Sequence, residues 1–171
     1  MMDLKNYVRD IPDFPIPGIL FRDITTVLKD PAALVKAVDS MVNLLDGLEF
    51  DTVLGPESRG FIFGMPMAYK LGKGFVPIRK AGKLPGEVAQ REYALEYGTA
   101  IIEVHKDAIV PGHRYIIADD LLATGGTAKA TADLVTEMGG TVVSTLFFIE
   151  LAGLNGRDVM AGYDVRSLLV Y

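Results

Sequence analysis

The chain has 171 residues, which fits one compact domain and leaves little room for two. Hydrophobic residues make up 50% of the chain, so the composition excludes a protein that stays unfolded for lack of apolar surface. The formal charge of −5 disfavours nucleic acid or an anionic membrane as a partner. The chain has no cysteine, which excludes disulfides, thiolate metal sites and cysteine nucleophiles.

The chain shows no targeting or membrane segment. Its first ten residues carry scattered charges and lack the apolar centre of a secretory signal. The most apolar runs, residues 145–150 and 165–171, are much shorter than the roughly 20 residues that a membrane-spanning helix needs. We therefore expect a cytoplasmic protein.

Three segments have the apolar spacing of helices. In the first, Asp30 is the predicted N-cap, Pro31 is the first helical residue and Gly47 is the stop. The other two predicted helices are residues 61–71 and 127–138.

Short runs of β-branched and apolar residues predict strands between these helices, at residues 50–54, 75–78, 115–118 and 142–149. Residues 93–97 and 100–104 flank Gly98 and Thr99, which predicts a β-hairpin. Residues 79–86 are so rich in Gly, Pro and Lys that they favour a mobile loop. Because strands and helices alternate, we expect an α/β sheet that binds its ligands beyond the carboxyl ends of its strands.

A loop after the strand at 115–118 has the composition of a sugar-phosphate site. Asp119 and Asp120 come first, and residues 121–127 lead into a helix through two glycines. Glycines let successive N–H groups converge on an anion, and the helix N-terminus adds its positive dipole. Carboxylates accept hydrogen bonds from vicinal hydroxyls, directly or through the water shell of a metal ion. The loop predicts ribose 5-phosphate binding, although a plain turn with an N-cap remains an alternative at this point.

Two common nucleotide-binding patterns are absent from the sequence. There is no G-x-x-x-x-G-K-[ST] segment, which excludes a P-loop nucleotide hydrolase, and no G-x-G-x-x-G segment after a strand, which excludes a dinucleotide fingerprint.

Residues 116–127, Ile-Ile-Ala-Asp-Asp-Leu-Leu-Ala-Thr-Gly-Gly-Thr, resemble the phosphoribosyl pyrophosphate motif of the type I phosphoribosyltransferase family. Residues 14–24, 79–85 and 93–98 narrow the resemblance to the adenine-specific members of that family. It implies a single domain over residues 1–171 with a central, mainly parallel sheet flanked by helices. It also implies a flexible β-hairpin loop and a small hood contributed by about residues 1–30 and 150–171.

The resemblance implies a reaction in purine salvage. Adenine and phosphoribosyl pyrophosphate would give AMP and pyrophosphate, with Mg²⁺ held mainly by substrate and water rather than by direct protein ligands. It also implies a homodimer in which Arg79 completes the pyrophosphate site of the partner.

The same resemblance assigns the site residues. Those expected at the ribose 5-phosphate are Asp119, Asp120, Ala123, Thr124, Gly125, Gly126 and Thr127. Those expected at the pyrophosphate are Glu57, Ser58, Arg59, Arg79, Lys80 and Lys83. Those expected at adenine are Leu20, Phe21, Arg22 and Leu151. The expected catalytic residues are Glu96, Asp119, Asp120 and Arg59, with Glu96 hydrogen-bonded to the base.

Without the resemblance, these residues have plainer interpretations. The basic cluster would be a solvated surface, and Phe21 and Leu151 would be ordinary core residues. His105 and His113 match no catalytic position of the family, and His113 is expected in an exposed turn.

Two alternative functions use the same scaffold. One is a phosphoribosyltransferase for another purine, such as xanthine or hypoxanthine, although the Phe-Pro-x-Pro-Gly segment at residues 14–18 favours adenine. The other is a regulator that senses phosphoribosyl pyrophosphate. The short stretch before the first predicted helix leaves no room for a DNA-binding module.

Overall fold

The computed structural model describes residues 2–95 and 98–171, and its strands form two sheets. Near the amino terminus, β1 (Arg9–Pro12) and β2 (Leu20–Asp23) pair in antiparallel fashion. The strands of the central sheet are β3 (Thr52–Pro56), β4 (Gly74–Lys80), β5 (Val88–Ala94), β6 (Thr99–His105), β7 (Arg114–Leu122), β8 (Thr141–Glu150) and β9 (Val165–Val170).

The helices connect these strands and cover both faces of the central sheet. They are α1 (Thr25–Lys29), α2 (Pro31–Asn43), α3 (Arg59–Leu71), α4 (Gly126–Glu137) and α5 (Gly156–Val159), with short 3₁₀ turns at Leu4–Tyr7, Lys106–Ala108 and Ala152–Leu154. In the part of the chain that the structure describes, no helix combines the length and apolar character needed to cross a bilayer.

Helix α2 begins as the sequence predicts. The Asp30 carboxylate accepts hydrogen bonds from the backbone N–H groups of Ala32 and Ala33, at 3.0 and 2.9 Å. These bonds satisfy donors that have no partner within the first helical turn. The helix ends at Asn43, and the chain then turns through Gly47, whose φ is 80°.

The central sheet has the order β5-β6-β4-β3-β7-β8-β9. Strand β3 pairs in parallel with β4 and β7, and β8 pairs in parallel with β7 and β9. The β5–β6 hairpin adds an antiparallel edge to β4. The predicted mainly parallel α/β sheet is therefore confirmed.

The strand order reverses at β3. The chain leaves β3 for β4 on one side and later returns to place β7 on the other side. Ligands of open α/β sheets bind beyond the carboxyl ends of the strands at such a switch. The loops after β3 and β7 therefore meet in the crevice where we expect the site.

Apolar side chains fill the space on both faces of the sheet. Val53 and Ile116 belong to the core that includes α2 and α3, whereas Leu54 and Ile117 belong to the core beneath α4. Neighbouring residues of a strand point to opposite faces, so a strand buried on both sides is apolar at every position. This is why residues 53–54 of β3 and residues 115–118 of β7 are recognisable in the sequence as apolar runs.

Several predicted boundaries differ from the structure; for example, β3 spans Thr52–Pro56 rather than residues 50–54. Two of the errors bear on the site, and both are at the carboxyl ends of strands. Arg79 and Lys80 lie in β4, where they pair with Glu103 and Ile102, rather than in the predicted mobile loop. Asp119 and Asp120 lie within β7, which continues to Leu122 rather than ending at Ala118. In both cases a neighbouring strand supplies hydrogen-bond partners that local composition does not reveal.

The predicted hairpin is confirmed, but its first strand begins at Val88 rather than at Tyr93. Strand β9, near the carboxyl end of the chain, lies in the central sheet beside β8. The assignment of the hood to residues 1–30 and 150–171 stays a prediction.

Candidate functional site

Two adjoining cavities lie at the topological switch. The larger has a volume of about 370 Å³ and lies between the loops after β3 and β7 and the β5–β6 hairpin. The smaller, of about 150 Å³, lies between β2 and the segment after β8. Arg59, Asp120 and Leu121 line both cavities. A molecule that filled both would therefore have its junction beside the Asp120 carboxylate.

The loop after β7 forms one wall of the larger cavity. All five residues predicted there line it, namely Ala123, Thr124, Gly125, Gly126 and Thr127. Gly125 has φ 86°, and a Cβ on it would lie 2.7 Å from the Gly156 carbonyl oxygen. Only glycine fits this left-handed, crowded position. Helix α4 begins immediately afterwards, so its free N–H groups and dipole favour an anion at this wall.

Asp119 and Asp120 line the larger cavity next to this loop. The Asp120 side chain is 8% exposed, and its Oδ2 lies 2.9 Å from Arg59 Nε. Asp119 Oδ1 accepts a hydrogen bond of 2.8 Å from the Asp120 backbone N–H. Burial raises the pKa of the Asp119 carboxyl well above its usual value, and the charge of Asp120 adds to the rise. Burial also raises the pKa of Asp120, against the opposing effect of Arg59. The carboxylate pair thus needs hydrogen-bond donors or positive charge to be stable when ionised.

Helix α3 approaches this carboxylate pair closely because residue 60 is glycine. A Cβ on Gly60 would lie 3.0 Å from the Ala118 carbonyl oxygen and 3.1 Å from Asp119 Oδ1. The missing side chain lets the first turn of α3, with Arg59, reach the carboxyl end of β7.

The opposite wall of the larger cavity carries the predicted pyrophosphate residues. Arg79 Nε donates to Glu57 Oε2 at 2.5 Å, and the Arg79 guanidinium lies 5.9 Å from the centre of the Phe61 ring. Burial acts to raise the pKa of Glu57, but the hydrogen bonds from Arg79 and from the Lys80 backbone outweigh it and hold that pKa below its usual value. Glu57 is therefore ionised and paired with Arg79.

The structure brings together four of the six residues predicted for pyrophosphate. Glu57, Arg59, Arg79 and Lys80 line the larger cavity. Ser58 and Lys83 are exposed and are not among its lining residues.

The four residues predicted for the base line the smaller cavity together. They are Leu20, Phe21, Arg22 and Leu151. Phe21 packs edge-on against Phe14, with ring centroids 5.2 Å apart. Arg22 pairs with Asp10, and its guanidinium lies 4.0 Å from the centre of the Tyr171 ring. The cavity is thus walled mainly by apolar groups, and its charged lining residues are Arg22, Arg59 and Asp120.

Glu96 and the two histidines are not among the cavity residues described above. Glu96 lies outside the described residues. His113 is exposed, and neither histidine is among the residues that line the two cavities. Within residues 2–95 and 98–171, no group of three or more His, Asp or Glu side chains is placed to hold a metal ion.

Sequence reasoning missed Tyr93 as a site residue. Its side chain lines the larger cavity, and its hydroxyl oxygen lies 3.0 Å from Thr127 Oγ1. The period-two spacing of Arg91 and Tyr93 in β5 indicates that they share a face, but only the tertiary fold shows that this face meets α4.

Comparison with known proteins identifies the same family throughout. Residues 24–168 match the family model described as phosphoribosyl transferase domain. The chain is 57% identical over 171 residues to the adenine phosphoribosyltransferase of Agathobacter rectalis, covering 100% of this chain and 98% of that relative. The crystal structure of adenine phosphoribosyltransferase from Thermoanaerobacter pseudethanolicus has a TM-score of 0.96 and 52% identity, covering 98% of each chain. The enzyme of Saccharomyces cerevisiae, complexed with adenine and an imino-altritol bisphosphate, has a TM-score of 0.91 and 40% identity, covering 96% of each chain.

Proposed function

The chain belongs to the phosphoribosyltransferase family, among its adenine-specific members, and from this premise we propose how its residues perform the reaction. The type I phosphoribosyltransferase fold implied by the sequence motifs is confirmed. The protein is an adenine phosphoribosyltransferase-type enzyme of purine salvage. It transfers the 5-phosphoribosyl group from phosphoribosyl pyrophosphate to adenine and produces AMP and pyrophosphate.

One observation above the others supports a site with two parts, one for the base and one for the sugar phosphate. The apolar cavity and the larger, charged cavity adjoin at Asp120 and Arg59. A flat base in the smaller cavity and a sugar phosphate in the larger one would meet at that junction. The anomeric carbon, which exchanges pyrophosphate for adenine, would therefore lie beside the carboxylate pair.

The larger cavity has donors suited to phosphorylated groups at opposite walls. In our proposal, residues 123–127 and the N-terminus of α4 bind the 5-phosphate. Glu57, Ser58, Arg59, Arg79, Lys80 and Lys83 bind the pyrophosphate. The position of Arg59 at the cavity supports this assignment, because guanidinium groups bind phosphate oxygens through paired N–H donors. Arg79 would serve the pyrophosphate site of the partner in the proposed homodimer, as the family motif implies. The exposed Lys83 would have to turn inward on binding.

Asp119 and Asp120 serve two purposes in the proposed mechanism. Their ionised oxygens would accept hydrogen bonds from the ribose hydroxyls, which add to the donors that Arg59 and the Asp120 backbone N–H already supply. As pyrophosphate departs, the ribose becomes cation-like, and nearby negative charge stabilises it. Arg59, now paired with Asp120, would turn toward the leaving pyrophosphate and stabilise the charge that develops there.

Mg²⁺ fits this carboxylate pair. Magnesium commonly binds through one or two carboxylates, substrate phosphates and several waters rather than through a full protein cage. Asp119 and Asp120 would hold it through its water shell, and the ion would neutralise the charge of the leaving pyrophosphate. The protein residues would still have to orient the ribose and exclude bulk water from the junction.

The smaller cavity would hold adenine. Phe21 and Leu151 provide apolar contact for its faces, while Leu20 and Arg22 lie where its edge would be. The N9 proton of adenine must leave as the new bond forms. We assign its acceptance to Glu96 on the strength of the family motif.

The proposal also includes the oligomeric state and the cellular location of the protein. We propose a homodimer, supported by an outward face of α3 on which Ile62, Met65 and Tyr69 are exposed and spaced for one side of a helix. We also propose a cytoplasmic location, because highly charged phosphoribosyl substrates do not cross a bilayer unaided.

A base-preference assay tests the proposed function. The purified protein is incubated with Mg²⁺ and phosphoribosyl pyrophosphate, and adenine, hypoxanthine, guanine, xanthine and orotate are offered in parallel. Adenine should give the highest kcat/KM, with AMP and pyrophosphate released in equal amounts. A higher value for another base would contradict the adenine assignment, and no turnover with any base would favour the regulator.

A further inference from the structure

Strand β5 is fixed to both ends of helix α4 by two side chains of one face. Arg91 Nη2 donates to Asp133 Oδ2 at 2.9 Å, and Arg91 also pairs with Glu137 in the last turn of the helix. The Tyr93 hydroxyl oxygen lies 3.0 Å from Thr127 Oγ1 in the first turn. The hairpin is therefore held against the helix whose N-terminus faces the larger cavity.

The backbone of β5 also lies close to the glycine at the start of α4. A Cβ on Gly126 would lie 3.6 Å from the Tyr93 ring and 3.7 Å from the Ala94 carbonyl oxygen. Tyr93 lines the larger cavity together with residues 123–127. Its hydroxyl thus ends at the loop that the proposed function assigns to the 5-phosphate.

The contact between the two hydroxyls has a preferred direction. A phenol is a much stronger acid than an alkyl alcohol, so the Tyr93 hydroxyl is the better donor and Thr127 Oγ1 the better acceptor. Thr127 has a single hydroxyl proton, and phosphate oxygens are acceptors only. A bond donated by Tyr93 leaves that proton free to point toward a phosphate and polarises the Thr127 hydroxyl in the same direction.

We propose that Tyr93 is a positioning residue for the 5-phosphate. Its hydroxyl donates to Thr127 Oγ1 and so directs the Thr127 proton toward the phosphate, while Arg91 holds β5 in the position that makes this contact. This inference rests on the proposed function, in which residues 123–127 bind that phosphate. Tyr93 acts through Thr127 and needs no substrate contact of its own.

Calorimetric titration with ribose 5-phosphate tests the proposal. Tyr93→Phe keeps the ring and removes the hydroxyl, and we expect affinity to fall by about twofold to tenfold, the range of one net hydrogen bond. Pyrophosphate affinity should not change. In the enzyme assay, KM should rise for phosphoribosyl pyrophosphate and remain constant for adenine. Thr127→Val should also weaken ribose 5-phosphate binding, and adding Tyr93→Phe to it should cause no further loss.

Tyr163→Phe is the matched control. Its hydroxyl donates to Asp133 Oδ1 at 2.8 Å in the same network but outside the residues lining the cavity, so ribose 5-phosphate affinity should be unchanged. Thr127→Ser keeps a hydroxyl that can accept from Tyr93. Adding Tyr93→Phe to Thr127→Ser should therefore weaken ribose 5-phosphate binding again, as it does in the wild-type protein. Melting temperatures of all variants are compared to exclude misfolding.

The outcomes separate this inference from the proposed function. Weak binding by Thr127→Val with wild-type binding by Tyr93→Phe, or additive losses in the double variant, would overturn the role of Tyr93 alone. Unchanged binding by Thr127→Val would overturn the assignment of the phosphate to this loop and the inference with it.

Discussion

At the scale of single residues, the proposed chemistry of the site rests on Asp119 and Asp120 at the end of β7. Burial raises the pKa of both carboxyls, and Arg59 is the cation that opposes the rise at Asp120. Substrate hydroxyls and the metal ion would supply the remaining compensation. In the proposed function, the pair destabilises the free protein when ionised and is compensated once ligands bind, as is common for residues selected for function rather than for stability.

We expect Asp119→Asn to impair catalysis without lowering stability. The amide is nearly isosteric with the carboxylate but is neutral. It accepts more weakly from the ribose hydroxyls and does not stabilise the cation-like ribose, so kcat/KM should fall on the order of 10- to 100-fold. The melting temperature at pH 7 should stay the same or rise, because a buried charge has been removed. Asp107→Asn, at an exposed turn, is the control and should change neither quantity. Wild-type activity in Asp119→Asn would remove this carboxylate from the site.

The raised pKa of Asp119 also predicts how stability varies with pH. A carboxyl whose pKa is higher in the folded than in the unfolded state binds protons on folding, so its contribution to stability falls as pH rises from about 4 through the folded-state pKa. Above that pKa its contribution is constant and unfavourable. The melting temperature of Asp119→Asn minus that of wild type should therefore be larger at pH 8 than at pH 5. Thermal melts across this range check it, and parallel curves would contradict the raised pKa.

At the scale of secondary structure elements, the proposed phosphate site depends on the backbone at the first residues of α4. The Cβ position of Gly126 has ordinary contact distances to Tyr93 and Ala94, so Gly126→Ala should fold and bind ribose 5-phosphate with modest loss. Gly126→Val places branched carbons where the hairpin or a phosphate must lie, and binding should be abolished. Titration of the two variants against wild type tests this. Equal affinity in all three would show that the turn does not hold the phosphate.

The anchoring of the β5–β6 hairpin gives a second prediction at this scale. Arg91→Leu removes the ion pairs with Asp133 and Glu137, which are partly exposed and so contribute modestly to global stability. We expect faster amide hydrogen exchange in β5 and β6 with a melting temperature within a few degrees of wild type. Lys106→Leu, which removes the exposed pair with Glu87, is the matched control. Unchanged exchange in Arg91→Leu would show that other contacts hold the hairpin.

These elements also show how far the sequence alone determines the structure. The β7-loop-α4 unit is predictable, because an apolar run, two carboxylates and a glycine turn are all local signals. The extension of β7 through Asp119 and Asp120 is not, since polar residues join the strand only because β8 pairs with them. Leu20, Phe21, Arg22 and Leu151 of the smaller cavity are predictable only from the resemblance to the family, because β2 and Leu151 meet only in the folded chain. Tyr93 was missed because its partner, Thr127, is 34 residues away.

At the scale of the whole molecule, the reversal of strand order at β3 brings the β3 and β7 loops to one crevice, and the hairpin forms its rim. Arg79, at the end of β4, lines the wall of this crevice and pairs with Glu57 of its own chain. The family motif instead assigns Arg79 to the pyrophosphate site of the partner. The two assignments differ in whether one chain holds a complete site, and a mixing experiment separates them.

We expect activity to return when two inactive variants form mixed dimers. One variant is Arg79→Ala, and the other combines Asp119→Asn with Asp120→Asn. If Arg79 acts across the interface, a mixed dimer has one site with both carboxylates and the partner's intact arginine. Equal mixing would then restore about one quarter of wild-type sites, since half of the dimers are mixed and half of their sites are complete. If Arg79 acts within its own chain, neither site of the mixed dimer is complete. Sedimentation must first verify the mixed dimer after co-refolding, and a monomer, or no recovery from verified mixed dimers, would contradict the shared site.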